Sequence, residues 1–167
     1  MKLLFFTFLF LSFAAQGQYE TKVASMDSII NNLYDVISGE KGEQRDWTLF
    51  SYLFTPSAQL IPARMNRDSL FRTSPLSAED YIRNAGPYLE ANGFFEKEIH
   101  RAAHCFGNIC QVFSTYETYR SANDIVPMAR GINSIQLLFD NNRWWIVNVY
   151  WQEEDEKHPI PPDFLPK

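Results

Sequence analysis

Residues 94–154 constrain this chain more than any other stretch. Four long apolar-rich runs, FFEKEIHRAAHCF, ICQVFSTYETYR, ARGINSIQLLF and RWWIVNVYWQEE, are joined in pairs by Gly107-Asn108 and by DNN at 140–142. Two-residue Gly-X and Asn-rich loops between strand-like runs are β-hairpin signals. Two long hairpins in succession predict an antiparallel sheet, and a sheet needs something to cover its apolar face.

The last run raises the question of what covers it. A strand with one solvated face alternates apolar and polar residues. Here Trp144, Ile146 and Tyr150 share one parity with the polar Asn148, while Trp145, Val147, Val149 and Trp151 fill the other. An exposed row of four such side chains is a large patch for a monomer. The sequence therefore predicts a homodimer through the outer sheet face at Trp145, Val147, Val149 and Trp151. It leaves the first parity for helices and a cavity.

The helices come earlier in the chain. Met26, Ile29, Ile30, Leu33, Tyr34 and Ile37 recur at helical spacing, with Ser25 as N-cap and Gly39 as stop. Asp46 caps a shorter helix that turns Trp47, Phe50, Leu53 and Phe54 inward and ends at Thr55-Pro56. SAQLIP (57–62) reads as a short strand. Ser77 and Asp80 form a capping box for a helix ending at Asn92-Gly93, which Gly86-Pro87 should kink or interrupt. Helices followed by strands predict an α+β domain with the helices on one face of the sheet.

The N-terminus reads differently. Lys2, an apolar run over residues 3–13 and small residues to Gly17 have the layout of a secretory signal peptide. The apolar run is shorter than the ~20 residues a membrane span needs. The expected organisation is a signal peptide over 1–17, one domain over 18–153 and a proline-rich tail over 154–167, in a periplasmic or secreted protein. The formal charge of −5 contains no basic run, which argues against nucleic acid and anionic membranes.

The first helix, DWTLFSYLFTPSAQLIP, FGNICQVFSTYETY and GINSIQLLFDNNRWWIVNVYW together resemble the NTF2-like fold. That group also includes SnoaL-like cyclases, scytalone dehydratases and ketosteroid isomerases. The resemblance covers roughly residues 26–153. It implies a cone in which a strongly bent antiparallel sheet wraps the helices around an apolar cavity. It also implies that dimers form through the outer sheet face. Catalytic members of the group place an Asp or His in the cavity, and ketosteroid isomerases carry their base Asp just after the first strand. LIPAR, residues 60–64, has no carboxylate there.

Register narrows the candidates. A Gly107-Asn108 loop sets Cys105 opposite Cys110, Arg101 opposite Ser114 and Ile99 opposite Tyr116, facing the helices. It turns Glu98, His100 and His104 outward, with Glu117 opposite Glu98. Cys105 and Cys110 are either a cross-strand disulfide or two buried thiols. His100 and His104 lie ~13 Å apart along a strand, too far for one metal ion. Inward polar residues make the cavity candidates: Arg64, Ser114, Tyr116, Asn133, Gln136, Asn148 and Tyr150, with Trp144 as an aromatic wall. Arg64 offers charge to an acidic ligand. No cofactor is called for. Two functions remain open: a small-molecule-binding or interaction module, or a SnoaL-like lyase, isomerase or hydrolase with Tyr116 or His100 as acid/base.

Overall fold

The computed structural model describes residues 17–65 and 70–167, so the expected signal peptide lies almost wholly outside the described residues. Three helices, α1 (Met26–Ile37), α2 (Trp47–Leu53) and α3 (Ala78–Asn92), cover one face of a six-stranded sheet. The strands are β1 (Phe54–Met65), β2 (Phe71–Thr73), β3 (Phe95–Phe106), β4 (Ile109–Tyr119), β5 (Ala129–Asp140) and β6 (Arg143–Glu153), in the order β2-β1-β6-β5-β4-β3. This is the expected α+β architecture. One pair departs from the antiparallel expectation: β1 runs parallel to β6.

The caps form as their chemistry dictates. Ser25 accepts from the Ser28 amide and Asp46 from the Leu49 amide, while Ser77 and Asp80 close a reciprocal capping box. α3 runs unbroken through Pro87. Arg83 and Pro87 both face solvent, so water can take the carbonyl that Pro87 leaves without a donor. Gly86 lets α3 approach Trp47, whose ring a Cβ there would meet at 3.1 Å. The Trp47 indole N–H then donates to Glu90 at 2.8 Å. Ile29, Ile30, Phe50, Leu53, Val112, Ile135, Leu137 and Ile146 form the sealed centre of the core.

Both hairpin turns fall where expected. Gly107 has φ 54°, and Asn141 and Asn142 have φ 51° and 61°, as a tight hairpin with left-handed residues requires. The first hairpin keeps its predicted register from Phe106–Ile109 to Arg101–Ser114, and Cys105 and Cys110 are joined in a disulfide.

Two single-residue bulges then overturn the parity expected further along the strands. In β3 the pairing steps from His100–Thr115 to Glu98–Tyr116, leaving Ile99 unpaired. Glu98 therefore lies opposite Tyr116 rather than Glu117, and it turns inward. In β6 the pairing steps from Ile146–Leu137 to Asn148–Gln136, leaving Val147 unpaired. An extra residue in one strand shifts every later side chain to the other face. Ile146 is inward before the bulge, and Val149 and Trp151 are inward after it.

The expected outer row of Trp145, Val147, Val149 and Trp151 therefore does not exist as one face. Trp145 packs under the Arg143 guanidinium, 3.5 Å from the ring centre. The C-terminal tail lies across the outer face of the sheet instead. The Thr115 hydroxyl donates to the Phe164 carbonyl at 2.7 Å, Phe164 packs on Phe113, and Ile160 is buried.

Candidate functional site

Between the helices and the inner sheet face lies a cavity of about 350 Å³. Leu33 and Ile37 of α1, Phe50 of α2, Tyr81, Ala85 and Leu89 of α3, and Leu60, Val149 and Trp151 of the sheet form its walls. The volume suits a small organic molecule. Its polar groups fall into two sets. Glu96, Asn133, Thr118, Tyr81 and Tyr116 stand inside, and the exposed Arg64, Tyr88, Arg120 and Glu153 stand at the mouth.

Glu96 is the chemically distinctive group. Burial pushes its carboxyl up from 4.5 to about 7; a hydrogen bond from Asn133 opposes this, and the charge of Glu153 adds to it. Asn133 Nδ2 donates to Glu96 Oε1 at 2.9 Å and also reaches the Tyr34 hydroxyl at 3.1 Å. The Tyr34 hydroxyl lies 2.6 Å from Ser114 Oγ, and Ser114 donates to Glu98. Glu98 in turn accepts from Arg101 at 2.8 Å. The hydrogens therefore point away from the cavity, toward an ion pair at the edge of α1. This chain fixes Asn133 and commits Glu96 Oε1. Glu96 also borders a polar cleft on the far side, shared with Asn31, Tyr34, Asp35, Lys97 and Glu98.

Tyr116 is 3% exposed, and no hydrogen bond joins its hydroxyl to another described residue. Burial and the nearby Glu96 raise its pKa, so it stays protonated and can only act as a hydrogen-bond partner near neutral pH. The ring lies over Gly131, where a Cβ would stand 2.4 Å from the hydroxyl. Only glycine leaves room for this ring on β5. Tyr81 has its pKa raised by the same two causes, burial first and then Glu96.

Of the residues expected from sequence, Arg64, Tyr116 and Asn133 border the cavity. Ser114 lies one layer behind, fully buried and bonded to Tyr34 and Glu98. Trp144 packs on the core beside Phe139, away from the cavity. The β6 bulge turns Asn148 and Tyr150 outward, and Tyr150 borders a hollow under the C-terminal tail. Gln136 pairs with Asn148 on that same outer parity. His100 pairs with Thr115, which the tail covers on the outer face, so His100 cannot act in the cavity. Glu96 is absent from the expected residues because strict alternation along β3 turns it outward. The signal available was the second carboxylate, Glu98, two positions along on the same parity.

Three helices covering one face of a six-stranded mixed sheet is the architecture of the NTF2-like structures that the chain resembles. By sequence, no family model and no curated protein matches the chain. By structure, it is similar to an NTF2-like superfamily protein of Salmonella enterica (TM-score 0.54, 18% identity, 91% of this chain and 95% of that one). It is also similar to an NTF2-like protein of unknown function from Pseudomonas putida (TM-score 0.55, 9% identity, 93% and 98%). A third similar structure is a protein of unknown function from Mycobacterium tuberculosis (TM-score 0.60, 9% identity, 91% and 81%). The chain has the NTF2-like fold.

Proposed function

We propose that this chain is an exported protein that holds one small, largely apolar molecule in the cavity, with a hydrogen-bonding group of that molecule set against Glu96 and Tyr116. The observation that carries this reading is the Tyr116 hydroxyl: bonded to no described residue, it opens into the cavity and stays accessible to a molecule held there. The Cys105–Cys110 disulfide and the N-terminal sequence support export, because disulfides persist in oxidising compartments. Native mass spectrometry of protein purified from its own host tests the ligand. A retained mass that Tyr116→Phe weakens is the expected result. A wild-type protein that carries no such mass and takes up no apolar small molecule refutes it. Intact mass of the mature protein tests export: a chain beginning at Gly17 or Gln18 is expected, and a chain still carrying Met1 refutes it.

One observation favours acid/base chemistry on that ligand. A carboxyl poised at about 7 accepts or gives up a proton with little driving force either way near neutral pH. In this reading Glu96 moves the proton and Tyr116 donates a hydrogen bond to the oxygen that gains charge. Incorporation of solvent deuterium into the retained ligand, lost in Glu96→Gln, tests it. Equal incorporation in the variant refutes it.

A further inference from the structure

Resting on the cavity as a ligand site, we infer that its ligand is an amphipathic anion, with an apolar body inside and a carboxylate, sulfonate or similar group held at the mouth by Arg64 and Arg120. The charges around the cavity are arranged by depth. Among the described residues its interior holds hydroxyls, an amide and the Glu96 carboxyl, and no cation; an anion placed there would face Glu96 directly. The mouth reverses the sign. Among the described residues, Arg64 and Arg120 both border it, against one carboxylate, Glu153. This cationic rim stands on a chain of net charge −5.

The two guanidiniums are also available. Among the described residues no carboxylate lies within ion-pair distance of either. The Arg120 guanidinium meets a neutral partner, donating to the Tyr88 hydroxyl at 3.3 Å. The Arg120 backbone amide donates to Asp124 at 3.0 Å, and the same carboxylate takes the Ser121 amide, which fixes the start of the 120–128 loop. The field of Arg64 reaches inward, where it opposes the rise in the Tyr81 and Tyr116 pKa values. A guanidinium at the edge of an apolar chamber recognises an oxyanion with directed N–H groups and less competition from water than on open surface. The ligand then enters apolar end first and leaves its charge at the rim.

The test uses two dyes that share one aromatic body, 1-anilinonaphthalene-8-sulfonate and N-phenyl-1-naphthylamine, which differ only by the sulfonate. Fluorescence titration of the whole mature protein at low ionic strength should give the sulfonate a Kd about five- to tenfold lower than the neutral dye, the scale of one partly exposed charge contact. Arg64→Met and Arg120→Met, both at exposed positions, should each reduce that preference and leave the neutral dye's Kd unchanged. High salt should reduce it too. Equal affinities in the wild type, preference for the neutral dye, or a preference that survives both substitutions overturns the anion assignment and leaves the cavity reading standing. If neither dye binds, or if Ala85→Phe and Thr118→Phe, which fill the cavity from opposite walls, leave both titrations unchanged, the cavity reading itself falls.

Discussion

Replacing Glu96 with Gln should stabilise the protein above neutral pH and leave it unchanged in acid. The carboxyl ordinarily titrates at 4.5 and is pushed up to about 7 in the folded chain. At ~1.36 kcal/mol per pKa unit, that rise is worth about 3 kcal/mol. The native state holds this proton more tightly than the unfolded chain does. Its contribution is therefore complete below pH 4.5, declines as pH rises toward 7, and is gone above that. Several groups face the carboxyl: Asn133 of β5, Tyr116 of β4, Tyr34 of α1, Tyr81 of α3 and Glu153 of β6. None of the tyrosines titrates in that window, because burial raises all three.

Gln keeps the oxygen that accepts from Asn133 and cannot ionise, so it copies the protonated acid. Urea unfolding of both proteins, compared pH by pH, cancels every other carboxylate. For a domain of this size, with m of about 2 kcal/mol per molar, the variant's midpoint at pH 8.5 should lie about 1.5 M higher. At pH 4 the two midpoints should coincide. Coincident midpoints at both pH values would mean that Glu96 titrates normally, and the argument for a poised carboxyl would fail.

Tyr116→Phe removes a hydroxyl that no described residue bonds, so its stability should stay within about 0.5 kcal/mol of wild type by urea unfolding, while its ligand affinity drops. Gly131→Ala drives a methyl against both the Tyr116 hydroxyl and the Gln152 carbonyl, each 2.4 Å from the new carbon. It should cost about 2–3 kcal/mol in the same assay and leave the cavity unable to bind the neutral dye. Converting Cys105 and Cys110 to Ala opens a short loop, sequence separation 5, and should cost about 2 kcal/mol in the chain-entropy estimate. Two free thiols in the unreduced mature protein, found by alkylation and mass, would remove that crosslink from the account.

The elements of this fold were legible because short-range chemistry sets them. Ser25, Asp46 and Ser77 each cap a helix at the residue where their side chains can reach an amide. Gly107 and the Asn141-Asn142 pair fix the two hairpins, and with them the Cys105–Cys110 pairing. The parallel docking of β1 on β6 was not legible, because the partner lies at the far end of the chain and no local signal separates it from an antiparallel pairing. The site was legible only in part for a related reason. Arg64, Tyr116 and Asn133 lie on stretches whose register survives, whereas Asn148 and Tyr150 lie beyond a bulge that turns them to the face opposite the one strict alternation predicts.

The bulges also explain the doubly apolar strand RWWIVNVYW. Trp144 and Ile146 face inward on one parity, Val147 is the extra residue, and Val149 and Trp151 face inward on the other. Both parities are apolar because the strand changes parity midway while its core-facing side stays apolar. The pattern follows from the bulge, and Trp151 lines the cavity. The same device on β3 does the opposite work. Ile99 is skipped, and the parity change brings two carboxylates, Glu96 and Glu98, onto the inner face of the sheet. A regular strand would have left both in solvent at no cost. Here Glu98 is neutralised by Arg101 at 2.5 Å and anchored through Ser114, whereas Glu96 receives only the Asn133 amide. The one carboxyl without a cation is the one that opens onto the cavity, so the cost of burying it falls at the place where a ligand can offset it.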